Sequence, residues 1–129
     1  MEIRENITGL SHFGLYVENI DVSRAFYAET LGFNVCCETM LANGLRLCFL
    51  KKGDCEVELI ERPGIERADG HFDHLSLRVQ DILQAVSSLK AAGIAMESDV
   101  RFLPSVYDGV KNVMFRGPDN EHIELNEFV

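Results

Sequence analysis

Basic charge, paired cysteines and long apolar runs are what this chain of 129 residues has least of. Lys and Arg number 12 against 21 Asp and Glu, a formal balance of −9. A field of that sign repels polyanions and disfavours a nucleic-acid or anionic-membrane surface, so any anionic ligand needs local arginines. The four cysteines, Cys36, Cys37, Cys48 and Cys55, contain no C-x-x-C spacing, which argues against a zinc knuckle and a thioredoxin motif. They read as reduced core thiols, and adjacent Cys36 and Cys37 would point to opposite faces of a strand, poor geometry for a disulfide. No apolar stretch approaches the length of a membrane span, and Met1-Glu2-Ile3-Arg4-Glu5-Asn6 lacks the apolar run of a signal peptide, so a cytoplasmic location with no membrane partner is expected.

What is present is the composition of one folded domain, 47% hydrophobic and 26% charged. Alternation over residues 10–17 puts Phe13, Leu15 and Val17 on one face of a strand and His12, Gly14 and Tyr16 on the other. Asn19 and Asp21 open a helix whose apolar positions are Val22, Ala25, Phe26 and Leu31, closed by Gly32 as a left-handed cap. Strand-like runs follow at roughly 33–40, 45–51 and 55–61, separated by Asn-Gly and Gly-Asp turn signals. The second half repeats this grammar: a strand at 72–79, a helix capped by Asp81 and ending near Gly93, then strands at roughly 94–102, 111–116 and 121–128. Gly117-Pro118-Asp119-Asn120 forms the last tight turn. The spacing from His12 to His74 is 62 residues and from Glu58 to Glu124 is 66, as expected of an internal duplication with small loop changes. The expected fold class is α+β, two tandem βαβββ modules forming a curved mixed sheet around a metal-binding cleft. Module one spans 7–61, a linker 62–71, and module two 72–129, the whole making a single domain.

Period two puts His12 and His74 on the inner faces of the two first strands, and Glu58 and Glu124 on the inner faces of the two last strands. A carboxylate on a half-apolar face is costly without a partner, and a divalent cation is a natural one. Two imidazoles and two carboxylates form an N2O2 set suited to zinc, nickel, cobalt, iron or manganese, with room for water or substrate. Glu56 and His122 face the same way without a duplicated counterpart and read as rim groups.

The segments Leu10-Ser11-His12-Phe13, Ala25-Phe26-Tyr27 through Leu31-Gly32-Phe33, Val57-Glu58-Leu59, Asp73-His74-Leu75-Ser76-Leu77 and Gly117-Pro118-Asp119-Asn120 with His122-Ile123-Glu124-Leu125 resemble the vicinal oxygen chelate superfamily. That superfamily holds glyoxalase I, methylmalonyl-CoA epimerase, extradiol dioxygenases and bleomycin- or fosfomycin-resistance proteins. The resemblance implies a metal-dependent lyase or isomerase of the glyoxalase I type. Its metal ligands would be His12, Glu58, His74 and Glu124 around one divalent ion per site: zinc, nickel, cobalt or manganese. Its chemistry would be proton transfer through a metal-stabilised enediolate, with Glu124 first and Glu58 as its partner in moving the proton. Tyr16, Arg78 and Arg62 are the expected substrate contacts. Tyr16 and Arg62 stand where glyoxalase I has an arginine and an asparagine, which weighs against glutathione as carrier thiol. The resemblance also implies a small-molecule substrate and a homodimer. The alternatives are a methylmalonyl-CoA epimerase-like isomerase and a non-catalytic small-molecule binding or resistance protein.

Overall fold

Residues 3–6, 8, 10–70 and 72–129 are described by the computed structural model. Met1, Glu2, Ile7, Gly9 and His71 lie outside them, and with them the expected start of module one and the last residue of the linker. After a single helical turn at Ile3–Asn6, strand β1 (Phe13–Val17) shows the expected alternation, with Val17 buried and Gly14 and Tyr16 exposed. Helix α1 (Ile20–Ala25) is capped by Asn19, whose Oδ1 accepts from the N–H groups of Asp21 and Val22 at 3.0 and 3.3 Å. The helix widens into a π turn over Phe26–Thr30, where Leu31 N–H donates to the Phe26 carbonyl at 3.1 Å. Gly32 ends it at φ +77°, a conformation open to glycine at no steric cost. Strands β2 (Asn34–Met40), β3 (Arg46–Lys52) and β4 (Cys55–Glu61) complete the first unit. The second unit runs β5 (Leu75–Arg78), helix α2 (Ile82–Ala91) capped by Asp81 through Gln84 N–H, β6 (Arg101–Leu103), β7 (Val110–Arg116) and β8 (His122–Phe128).

Hydrogen bonding divides these strands into two four-stranded mixed sheets, ordered β1-β4-β3-β2 and β5-β8-β7-β6, one per module. In each the first strand lies parallel to the last, and the remaining pairs are antiparallel. This is the expected tandem βαβββ architecture. Two local expectations need correction. The stretch 94–100 is not strand: Met96 makes one bridge to Phe115, and Ser98 turns its hydroxyl onto the Asp99 carbonyl instead of leaving the backbone to a ladder. The cysteines are all free, but Cys36 and Cys37 are exposed rather than in the core. They sit on β2, an edge strand exposed along its length, at a register shift between Val35 and Cys37. Cys48 is buried, and burial pushes its thiol up to about 11.

The outer faces of both sheets feed one apolar cluster. Val17, Cys48, Leu50, Val57 and Leu59 come from the first sheet and Leu75, Val113, Phe115, Ile123 and Leu125 from the second, with Tyr27, Ile82 and Leu89 from the helices. Each fully buried aliphatic side chain contributes roughly 1.5–3 kcal/mol, and the sharing of one core locks the modules to each other. A polar latch fixes their angle. The turn before β8 brings buried Asp119 to the N–H of Glu18 (2.6 Å), the hydroxyl of Ser23 (3.0 Å) and Nε of Arg67 (3.1 Å). Beside it, the Tyr27 phenol donates to Glu121 Oε2 at 3.0 Å, and Glu121 Oε1 accepts from Asp119 N–H at 2.8 Å. Gly117 allows this packing, since a Cβ there would collide with the Glu121 carboxylate.

Burial raises the Glu121 carboxyl above its usual range despite hydrogen bonds that favour the anion, and it raises the Tyr27 phenol well above its own. A carboxyl raised on folding binds protons more tightly in the native state. Its contribution to stability is therefore present at acid pH and is lost as pH rises from the ordinary glutamate range through the raised value. Glu121→Gln, which retains an acceptor for Asp119 N–H, should flatten that decline; urea midpoints measured between pH 4 and pH 7 on both proteins test it, and parallel slopes would contradict the assignment.

Candidate functional site

The inner face of the first sheet is set by the parallel pairing of β1 with β4, in which Gly14 lies opposite Glu58. His12, two residues before Gly14, stands on the same face and reaches the same carboxylate. Its Nε2 is 3.1 Å from Glu58 Oε1, its Nδ1 is 3.1 Å from the Ser11 hydroxyl, and its ring meets Phe49 edge-on at 5.6 Å. Among the described residues, His12 is the side chain within ion-pair distance of Glu58. Gly14 beside it offers no side chain.

The second sheet repeats the register with Ser76 opposite Glu124, and the surroundings are more polar. His74 Nε2 is 3.7 Å from Glu124 Oε1, and its Nδ1 is 2.8 Å from Asp73 Oδ2. Glu124 is 8% exposed and is held by three donors: the Ser76 hydroxyl (2.9 Å) and Asn126 Nδ2 (2.8 Å) on Oε1, and Asn112 Nδ2 (3.4 Å) on Oε2. Those bonds offset the cost of burying a carboxylate. His122 packs its ring 6.2 Å from that of His74, and both of its ring nitrogens are buried without a hydrogen-bond partner. Its nearest carboxylates are Glu97 at 3.4 Å and Asp73 at 3.8 Å.

The four expected ligands are thus brought together as two pairs and not as a quartet. No group of three or more His, Cys, Asp or Glu able to hold a metal occurs among the described residues. His12 and His74 do line one cleft of about 570 Å3, together with residues of the linker and His122, while the two glutamates lie outside its lining. Each pair nevertheless suits an ion. At metal–ligand bonds of about 2.0–2.2 Å, two donors of one tetrahedral ion stand roughly 3.4 Å apart, and the observed separations of 3.1 and 3.7 Å bracket that. Asp73 and Ser11, placed on Nδ1, leave Nε2 to face the carboxylate as a ligand nitrogen would. Each pair is two donors short of a complete four-ligand shell.

The expected substrate contacts form a second, reciprocal pattern. The Arg62 guanidinium lies over the Tyr16 ring at 5.2 Å, and that of Arg78 over the Phe128 ring at 5.7 Å. In module one the aromatic residue follows the histidine by four positions and the arginine follows the glutamate by four; in module two the types are exchanged. Glu56 lies opposite Lys51 on the same inner face. Asp73 and Asn112 were not anticipated. The signal for Asn112 was a lone amide in the otherwise alternating strand 110–116, and for Asp73 its place directly before His74.

The difference between Gly14 and Ser76 is testable. Ser76→Ala withdraws the hydroxyl from Glu124 and Asn126 and should cost about 1–2 kcal/mol. In Gly14→Ser the new Cβ meets Glu58 Oε1 at 3.6 Å and Ile60 Cδ1 at 3.7 Å, ordinary contacts, so its unfolding free energy from urea titration should stay within about 0.5 kcal/mol of the parent. The reverse ranking would contradict this account of how each glutamate is held.

Comparison with known proteins gives four matches. A family model described as the Glyoxalase/Bleomycin resistance protein/Dioxygenase superfamily matches residues 9–125. An uncharacterized protein of Bacillus subtilis, YwbC, is 31% identical over 122 residues, covering 90% of this chain and 94% of that protein. Among solved structures, a glyoxalase family protein from Enterococcus faecalis superposes with a TM-score of 0.80 at 25% identity, covering 95% of this chain and 99% of its own. The fosfomycin resistance protein FosX from Listeria monocytogenes, complexed with Mn(II) and sulfate, gives 0.74 at 18% identity over 95% and 94% of the two chains, a likeness of fold.

Proposed function

Because the chain belongs to the Glyoxalase/Bleomycin resistance protein/Dioxygenase superfamily, we propose that it is a metal-dependent lyase or isomerase of the glyoxalase I type, acting on a small α-hydroxy or α-keto carbonyl compound. The observation that carries this reading is the duplicated pair of imidazole and carboxylate, His12 with Glu58 and His74 with Glu124, each at the separation of two ligands of one ion. The residues that would hold the metal are those four, and the ion suited to them is zinc, nickel, cobalt or manganese. Bound there, it would supply Lewis-acid stabilisation of negative charge developing on substrate oxygen.

The chain's own residues divide the remaining work. Asp73 and Ser11 orient the two imidazoles. Glu124, held by Ser76, Asn126 and Asn112, is fixed in position, whereas Glu58, with His12 as its partner, is the carboxylate freer to turn. Both glutamates remain the proton-moving groups. Glu124 stays the first of them and Glu58 its partner, and the lighter restraint on Glu58 supports a larger motion there.

Two half-sites in one chain are best completed by a second copy. The outer faces of both sheets are committed to the shared core, so the inner faces that carry the pairs are the surfaces left for another subunit. The functional unit on this reading is a homodimer of single-domain chains, module one at 7–61 and module two at 72–129, with each site taking its first pair from one protomer and its second from the other.

Metal analysis of protein purified without chelator should give one transition-metal ion per chain. His12→Ala and His74→Ala homodimers should each lose the ion and lose deuterium exchange into substrate, assayed with methylglyoxal and thiols and with methylmalonyl-CoA in heavy water. Co-refolding the two variants should restore about half the metal in the mixed dimer, because one of its two shared sites then contains both histidines. A native protein without stoichiometric metal would end the catalytic reading, and a mixed dimer that regains none would end the shared-site arrangement.

A further inference from the structure

One row of side chains on the inner face of module two is not explained by the His–Glu pair. The register places Arg78 opposite Asn126, Asn126 opposite Asn112, and Asn112 opposite Arg101, so the row crosses all four strands. Directly opposed residues share a face, and this row is the neighbour of the one holding Ser76 and Glu124. The corresponding row of module one is Tyr16, Ile60, Leu47 and Thr39, which is uncharged. The duplicated scaffold therefore carries a cationic strip on one module and a mainly apolar strip on the other.

The two amides have a structural duty, since their Nδ2 groups donate to Glu124. The arginines have none of that kind. Arg78 makes no hydrogen bond or ion pair among the described residues and rests on the Phe128 ring. Among the described residues Arg101 commits only Nε, to Asn112 Oδ1 at 3.3 Å. By contrast Arg24, Arg46, Arg67 and Arg116 each pair with carboxylates, as expected where acids outnumber bases by nine. Two guanidiniums free of carboxylate partners, on one face beside Glu124, leave their forked N–H groups for an oxyanion from outside the chain. A further group points the same way: Asn126 Oδ1 is buried with no partner, an acceptor that a ligand O–H would satisfy.

We propose that Arg78, Asn126, Asn112 and Arg101 form the receptor for the charged end of the substrate, an oxyanion carrying a neighbouring hydroxyl. The guanidinium termini take the oxyanion and Asn126 Oδ1 accepts from the hydroxyl, which sets the adjacent carbon beside Glu124. The last clause rests on the function proposed above, and the binding of the anion does not. On the shared-site arrangement the facing wall is the Tyr16, Ile60, Leu47 and Thr39 row, with the Arg62 guanidinium lying on the Tyr16 ring. The oxyanion is a carboxylate or a phosphate, chemistry that guanidiniums take equally well.

The test uses the full-length, 15N-labelled protein freed of metal, titrated separately with glycolate, inorganic phosphate and neutral glycolamide. The signals read are the Nε–H groups of Arg78 and Arg101 and the side-chain amides of Asn112 and Asn126. Saturable shifts with glycolate, with phosphate or with both, and none with glycolamide, are expected, and the tighter anion identifies the source. Arg78→Gln and Arg101→Gln should each raise the glycolate or phosphate Kd at least tenfold, while Lys90→Gln on helix α2 leaves it unchanged. Both arginines are exposed, so the variants should keep the parent amide spectrum. Absence of shifts with either anion, or an unchanged Kd in the Arg78→Gln/Arg101→Gln double variant, would overturn the proposal. Because the titration needs no metal, its failure leaves the metal-stoichiometry result standing, and a protein that binds no metal leaves this result standing.

Discussion

The parallel pairing of first and last strand within each module is the constraint on which the candidate site depends. A histidine just before β1 or β5 and a glutamate in the middle of β4 or β8 are far apart in the chain. They meet because the last strand returns beside the first in a register that sets Glu58 against Gly14 and Glu124 against Ser76. A slip of one residue would turn either glutamate onto the outer face, into a cluster made of Leu, Val, Ile and Phe side chains. That apolar cluster is the force that excludes the slip, so the site's geometry is underwritten by the core on the other side of the same strands.

Duplication preserved the backbone and let the chemistry diverge. Glu58 sits beside a glycine and within ion-pair distance of His12, while Glu124 sits beside a serine and is gripped by three donors. The same divergence appears one row further along, where Tyr16, Ile60 and Leu47 are answered by Arg78, Asn126 and Asn112. Two copies of one scaffold thus present unlike walls, one with a lightly held carboxylate and the other with a carboxylate gripped by three donors. An acidic chain can receive an anion only where such local arginines are left unpaired.

The orientation of the modules follows from a few buried polar contacts. Asp119 ties the turn before β8 to Glu18 and Ser23 of the first module and to Arg67 of the linker, and Tyr27 with Glu121 completes the latch. With both outer faces closed around one core, the inner faces are left to the surroundings. The two His–Glu pairs therefore lie on the faces turned away from the shared core.

Period-two alternation was enough to assign the inner and outer residues of β1, β4, β5 and β8, and hence His12, Glu58, His74 and Glu124, because strand geometry leaves a side chain only two directions. Asn19, Asp81, Gly32 and Gly93 marked the helix ends for equally local reasons. Exposure of Cys36 and Cys37 was not legible, since alternation does not say that a strand lies at an edge. Nor was the loss of strand at 94–100, which depends on how much of the chain finds a partner on β7. The gathering of Asn112, Asn126 and Ser76 around Glu124, and the division of His12, Glu58, His74 and Glu124 into two pairs, were decided only by tertiary structure. They depend on cross-strand register and on which faces the modules bury against each other, and neither is a property of any local stretch of sequence.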